Sequence, residues 1–461
     1  MNVNHRTAGR AALVSGRRFA FAFTVFSMLQ LAATPLNAQY VDWVRQWGTT
    51  TSDAFWGVSV DTAGTIYAVG DTSGSGYATQ AGSGDALLVK YDVSGNVLGG
   101  FQDGTPTSDR LTVAAADGAG GVFVSGYTST GTFGSPRTGN GDIVFGHISS
   151  TNAWTWLQQS ALDNVQGGGG QNTGTLVTTG FVTSAVGGSY AGGNDVLFSV
   201  RNLAGAVTLQ RQFGTSANEA GDAAIIDGAG NYFIAGVTDG SLGGANAGTS
   251  DAFNAKYDSS GTQLWVKQLG SSAIDSATSL TTDAFGNVYV AGTTDGSVGG
   301  PNAGSSDNFI AKYDLSGNQL WLKQFGTSAL EGNPVVTYFL GGVWLSASTH
   351  GSLFGPNLGF RDVYAARLDA ANGNVLWSTQ IGTPGFESVR AIAADTILGK
   401  VYIAGETSGS FGGPAVGGGS DAFLISINAV PAVPEPSTMV LLIFAVAGSC
   451  LPRGRKVSST R

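Results

Sequence analysis

A tryptophan-led segment returns every 56 residues, and that recurrence limits the fold more than any other feature of the chain. WVKQLG at Trp265 is followed by WLKQFG at Trp321 and WSTQIG at Trp377, each 56 residues on. LQRQFG at Leu209 lies 56 residues before Trp265. Earlier copies start at Trp156, Leu98 and Trp43, at spacings of 53, 58 and 55, and those at Leu98 and Trp156 are degenerate. Self-similarity at a long fixed period means one supersecondary unit stacked on copies of itself, because a single unit cannot bury its own apolar face.

Each unit carries four short strand signals divided by turn chemistry. In the clearest copy, strand a is SATSLTTD (Ser276–Asp283) and strand b is NVYVAGTT (Asn287–Thr294). Strand c is DNFIAKYD (Asp307–Asp314), and strand d is QLWLKQFG, which opens the next Trp-led segment. Asp-x-x-Gly turns join a to b and c to d, where Gly can take positive φ. A long Gly-rich loop, DGSVGGPNAGSS, joins b to c. Four strands in about 56 residues correspond to one blade of a β-propeller.

The body begins with a d-type strand at Trp43–Trp47 that has no a, b or c before it. It ends with a c-type strand at Asp421–Ile427 that has no d after it. Pairing the two completes a seventh blade and removes two open sheet edges. The expectation is an all-β, seven-bladed propeller over residues 39–428, four antiparallel strands per blade, closed by the N-terminal strand.

Composition agrees. Gly accounts for 72 of 461 residues and only 11 % are charged, which alone could signal disorder; but 42 % are hydrophobic, gathered in regular β-rich clusters. The net charge is −9. No acid precedes Gln39 or follows Glu435, whereas Arg6, Arg10, Arg17, Arg18, Arg453, Arg455, Lys456 and Arg461 lie in those ends, so the body without them carries −17. Such a body is ill suited to nucleic acid or anionic lipid. The single cysteine, Cys450, excludes a disulfide framework and a Cys-based zinc site.

The two ends read as addresses. Residues 1–38 have a basic start, an apolar run from Phe19 to Leu31 and a small-residue cleavage site at Ala38 before Gln39, the pattern of a secretory signal. Residues 429–438 are a Pro-punctuated linker ending in Pro434-Glu435-Pro436. An apolar run at 439–451 and a basic tail at 452–461 follow. This tripartite end resembles the PEP-CTERM sorting signal of Gram-negative bacteria. An apolar run followed by Arg and Lys stalls in the inner membrane with its tail inside. The resemblance implies a transient inner-membrane stage, an exosortase that cuts near Pro-Glu-Pro, and release to the cell surface or beyond.

The repeat unit itself resembles the SBBP repeat, whose pattern runs SDAFxxKYDxSGxxLW, a GT or GGS turn, then DxxGNxYVAGxT. That likeness implies a propeller at the cell surface and no defined reaction.

Repeated residues are read first as scaffold. The Trp heading strand d is expected to pack between blades against the small pair of strand b, such as Ala291-Gly292, Ala235-Gly236 and Ala404-Gly405, with a sugar platform as the sharper alternative. An Asp opens strand c in every unit. An acid also follows strand d in every unit: Asp53, Asp109, Asp163, Glu219, Asp275, Glu331 and Glu387. The d–a and b–c loops emerge on one face, so these seven form a carboxylate ring near the channel. The ring reads either as a cation or ligand site, with calcium as the ion, or as loop scaffolding through backbone N–H bonds. Symmetry breaks are noted in copy three, where Gln166–Gln171 replaces the a–b turn, and in copy six, with Phe339, Trp344 and His350.

No catalytic constellation emerges. His5, His147 and His350 occupy unequal positions, and no metal-spaced pair exists. Leu368–Trp377 resembles a quinoprotein docking motif in one blade only. The expectation is a non-enzymatic binding or structural module without a cofactor, contacting extracellular polysaccharide or protein through the long-loop face. The rivals are a polysaccharide lyase or hydrolase on that face and a quinoprotein-like propeller.

Overall fold

The computed structural model describes residues 40–134, 142–160, 165–171 and 174–429. The segment 1–38 read as a signal, the expected processing positions Ala38, Gln39, Pro434, Glu435 and Pro436, the apolar run 439–451 and Asp163 lie outside them. Among the described residues twenty-eight strands form seven four-stranded sheets, each antiparallel in the order a-b-c-d. The a strands are innermost: Asp53–Val60, Asp109–Ala116, Val165–Gln171, Glu219–Ile226, Asp275–Thr282, Val335–Phe339 and Glu387–Asp395 in blades one to seven. Among the described residues no helix is long and apolar enough to cross a membrane.

Closure occurs as the phase of the ends requires. Val41–Trp47 pairs antiparallel with Asp421–Asn428, with Trp43 opposite Ser426 and Trp47 opposite Ala422, and so supplies strand d of blade seven.

Strands b and c carry the core, because both of their faces are covered by neighbouring blades. In blade five every residue of Asp307–Tyr313 is buried, and in Val288–Thr294 only Thr293 is half-buried. Phe233 and Ala235 of blade four pack against Val288, Val290 and Phe309 of blade five. Each fully buried Val, Phe or Tyr contributes roughly 1.5–3 kcal/mol. Strand d lies at the rim and starts exposed.

Three expectations need correction. The first concerns the glycine of strand b. It does not make room for the Trp but for its own blade's strand a, which bulges at this point. A Cβ on Gly292 would run into the Ser276 carbonyl oxygen, and the register shifts between Ala277 and Ser279. Gly70, Gly126, Gly236 and Gly405 meet the equivalent carbonyl in their blades. In blade six Ala347 holds this position: Glu331 bridges Thr349 and the regular ladder resumes only at Val335 opposite Ser346, so the extra residue falls in the unpaired stretch between them.

The second concerns the Trp, which is opposed by a different glycine. The Trp265 indole N–H donates to the Leu315 carbonyl at 3.0 Å, and its ring covers Gly317 in the next blade's c–d turn, where φ is +77°. Trp43, Trp156 and Trp321 reach the next blade's turn in the same way. The third concerns copy three. Its glycine run is not a turn; Gly167–Gly170 lie within strand a and pair with Leu176–Thr179.

Candidate binding site at the channel mouth

The long b–c loops are held by a glutamine three residues beyond the Trp position. In blade four Gln268 donates to the Gly240 carbonyl at 2.9 Å and to Asp251, the acid opening strand c, at 2.8 Å. Its Oε1 accepts from the Leu242 and Gly243 amides at 2.9 and 3.1 Å. Gln46, Gln102, Gln212, Gln324 and Gln380 bond the strand-c Asp of their own blades, Asp421, Asp85, Asp195, Asp307 and Asp362. Sequence reasoning passed over this glutamine, although the repeated W-x-x-Q spacing displays it. The loop face is thus a pinned surface.

Among the described residues Asp53, Asp109, Glu219, Asp275 and Glu387 open a strands, Glu331 precedes that of blade six, and each is turned into its own blade. Glu219 accepts from the Thr215 amide and hydroxyl at 2.6 and 2.7 Å and from the Thr238 hydroxyl at 2.8 Å. Glu387 is held in the same way by Thr383 and Thr407, and Asp53 by Thr49 and Thr72. Asp109, Asp275 and Glu331 accept from Thr105, Ser271 and Thr327. These six are at most 2 % exposed. Burial raises the pKa of Asp53, Asp109, Glu331 and Glu387 above the ordinary carboxylate range, opposed by the threonine donors. Among the described residues no three His, Cys, Asp or Glu side chains gather as a metal would require. The histidines lie apart in use: His147 bonds Asp117 and Thr155, and His350 meets the Leu330 carbonyl and Arg361.

The channel inside the ring has a volume of about 1260 Å³. The bulges aim side chains into it, which is what a bulge does when one extra residue faces the wrong way for the ladder. Trp56, Thr112, Asp222, Thr278 and Arg390 are the bulged residues of blades one, two, four, five and seven, and all line the channel. This ring, unlike the acid ring, is not repeated chemistry. Asp222, partly open to the channel yet enclosed by protein beside Ser276, has its carboxyl pushed up to about 7 by burial.

One sector of the mouth departs most from the repeat. Trp56 lies between two guanidinium groups, one from each neighbouring blade: Arg110 at 4.0 Å and Arg390 at 3.9 Å from its ring centroid. Cation–π contacts this close hold all three side chains in place. The Trp56 indole donates to Asp71 at 2.7 Å, and Arg110 pairs with the same carboxylate at 2.8 Å. Arg390 pairs with Glu406 at 2.6 Å, and Ser420 donates to the other oxygen of Glu406 at 3.2 Å. Arg361 reaches in from the end of blade six's b–c loop and donates to Ser388 at 2.6 Å. Tyr127 stands beyond Arg110, 5.6 Å from its guanidinium carbon.

The charged members depart from their columns of the repeat. Where blade one has Asp71 and blade seven has Glu406, the others have Tyr127, Phe181, Val237, Thr293 and Ser348. Where blade six has Arg361, the others have Gly84, Gly141, Asn194, Ser250, Ser306 and Ser420. Reading the aligned repeats for departures rather than for agreement would have found the cluster.

Comparison with known proteins bears on the fold. No curated protein matches the sequence. Among solved structures, Chaetomium thermophilum Raptor is similar at 10 % identity and a TM-score of 0.50, over 87 % of this chain and 30 % of that one. An acylaminoacyl peptidase from Pyrococcus horikoshii is similar at 10 % identity and 0.43, over 86 % and 55 %. YCF48 bound to D1 peptide is similar at 12 % identity and 0.44, over 86 % and 99 %. The chain therefore spans under a third of the first and about half of the second. Residues 264–300, from the rim strand of blade four to the b–c loop of blade five, match the SBBP family model, described as a beta-propeller repeat.

Proposed function

We propose that the chain is an exported, non-enzymatic propeller that binds polysaccharide or protein at the cell surface or in the extracellular matrix. In this reading the N-terminal segment directs export, an exosortase-type enzyme acts at Pro434-Glu435-Pro436, and the long-loop face is the working face. The observation that carries it is the channel mouth. There a pinned, repeated scaffold gives way to unrepeated Trp, Arg, Tyr and carboxylate side chains over an open channel. Repetition is what folding asks for, and a ligand needs the places that differ.

A polysaccharide lyase or hydrolase is the rival reading, and clustered Arg and Tyr side chains are the feature that favours it. A general acid or base must be within reach of the proton it moves. Asp71 and Glu406 are each engaged by an arginine instead, which supports binding over turnover. The test is incubation of the full-length protein with matrix polysaccharides and proteins, followed by co-sedimentation and sizing of the glycan. Retention with unchanged glycan length is expected. Shortened chains would replace the binding reading with the enzymatic one, and no retention of any component would remove it.

A further inference from the structure

The charges in the odd sector do not balance. Arg110 is matched by Asp71. Among the described residues Arg390 and Arg361 have only Glu406 between them: Arg390 pairs with it directly, while Arg361 makes no ion pair within 4.0 Å and rests on the Ser388 hydroxyl. Ser388 is the register partner of Glu406 and lies two residues before Arg390, so the two guanidinium groups converge on one stretch of blade seven. Burial and the neighbouring positive charge of Arg390 both lower the pKa of Arg361, in the direction expected of two cations crowded into a half-buried space. The Arg390 Nε is buried and has no hydrogen-bond partner among the described residues. A buried donor without an acceptor is costly, so an acceptor brought by a ligand would be stabilised there.

We propose that Arg361 and Arg390 form an anion site at the channel mouth that grips the carboxylate of a uronic-acid-bearing polysaccharide. This inference rests on the binding reading of the same face and names its ligand class. A guanidinium presents a planar fork that matches a carboxylate, and two forks around one missing negative charge suit one acid group per sugar unit. The buried hydroxyl groups of Ser388 and Ser420 edge the slot without adding charge. Trp56 is not a stacking platform here, because both guanidinium groups already sit on it. The −17 body repels polyanions elsewhere, so binding is confined to this sector.

The experiment titrates full-length protein with oligogalacturonate, neutral dextran oligosaccharide and poly-glutamate. The variants are Arg361→Gln, which breaks no carboxylate ion pair, and Arg390→Gln, which leaves Glu406 unpaired. Circular dichroism and melting establish that each variant is folded. We expect oligogalacturonate to bind at least tenfold tighter than dextran, and Arg361→Gln to remove about tenfold while dextran is unaffected. Equal binding of oligogalacturonate and dextran, or an unchanged affinity in folded Arg361→Gln, overturns the anion site and leaves the binding reading standing. Poly-glutamate binding that matches oligogalacturonate and falls with it in Arg361→Gln overturns the saccharide assignment. Failure of all three ligands to bind counts against the binding reading itself and takes this inference with it.

Discussion

Replacing Gln268 by Ala tests whether the working face is built or merely flexible. The side chain makes four hydrogen bonds: two as donor, to Gly240 and Asp251, and two as acceptor, from Leu242 and Gly243. A neutral hydrogen bond nets about 0.5–1.5 kcal/mol and one to a charged group about 1.5–3. Asp251, 1 % exposed, keeps only the Ala247 amide at 2.9 Å when Gln268 is removed. Water can enter the half-buried space and recover part of the loss, so the expected cost is roughly 2–4 kcal/mol. Urea unfolding reads that number as a lower midpoint. Hydrogen exchange reads its place, with the Leu242 and Gly243 amides losing protection before the blade core does. Gln268→Glu is expected to be worse than Ala, because it sets a second carboxylate beside Asp251, and its deficit shrinks in acid as one of the pair takes a proton. If those amides exchange at the wild-type rate in Gln268→Ala and the urea midpoint does not move, the pinning argument is wrong.

The remaining predictions concern the bulge, the rim and pH. Gly292→Ala forces a Cβ against the Ser276 carbonyl and to 2.8 Å from Ala277 Cα; a cost of about 1–3 kcal/mol is expected in urea unfolding, and a loss under about 0.5 kcal/mol would separate the glycine from the bulge. Trp43, 9 % exposed and bonded to Val93, is expected to cost roughly 3–5 kcal/mol on replacement by Ala, more than the same change at the more exposed Trp265; equal melting losses would contradict this. Asp222 ionises near 7 in the fold against 3.8 for the free side chain, so the folded state holds the extra proton between those values and its contribution to stability falls as pH rises from about 4 to 7. Asp222→Asn is expected to flatten the melting profile across that window, and an unchanged slope would place the carboxylate in free solvent.

The fold was legible because it is written seven times. A period near 56, turn chemistry at fixed offsets and an orphan strand at each end left little choice of architecture. What counting could not supply was register. The glycine of strand b looked like space for a tryptophan, since both recur in most units. Only the ladder shows that the chain takes an extra residue at Thr278 and its equivalents, and that the missing side chain admits a carbonyl from the same sheet. The glycines in Gln166–Gln171 looked like a turn because Gly favours turns, yet pairing with the neighbouring strand overrides local propensity. The channel-mouth cluster was hidden for another reason. Its members are single departures scattered among hundreds of residues, and a reading that searches for agreement between copies averages them away.

Their scatter follows from where the ring closes. Trp56, Asp71 and Arg110 belong to blades one and two, near the start of the chain, and Arg361, Arg390 and Glu406 belong to blades six and seven, near its end. The stack of Arg390 on Trp56 therefore crosses the junction that Val41–Trp47 completes by pairing with Asp421–Asn428. Every other blade interface joins units adjacent in sequence and forms by local contacts. This one requires the ends of the body to meet, so it carries the largest loop-closure entropy and should form late. A chain with six well-formed interfaces and an open seam would keep most of its core and the pinned loops of the other blades, would lose the Gln46 pin of blade seven, and would hold only half of the cluster on either side of the gap. The full cluster thus exists only in the closed ring; Arg361 and Arg390 lie on one side of the seam, and closure adds the Trp56 ring on which Arg390 is stacked. In that respect the first strand does more than hide an edge: it is the element that brings the two halves of the channel-mouth cluster together.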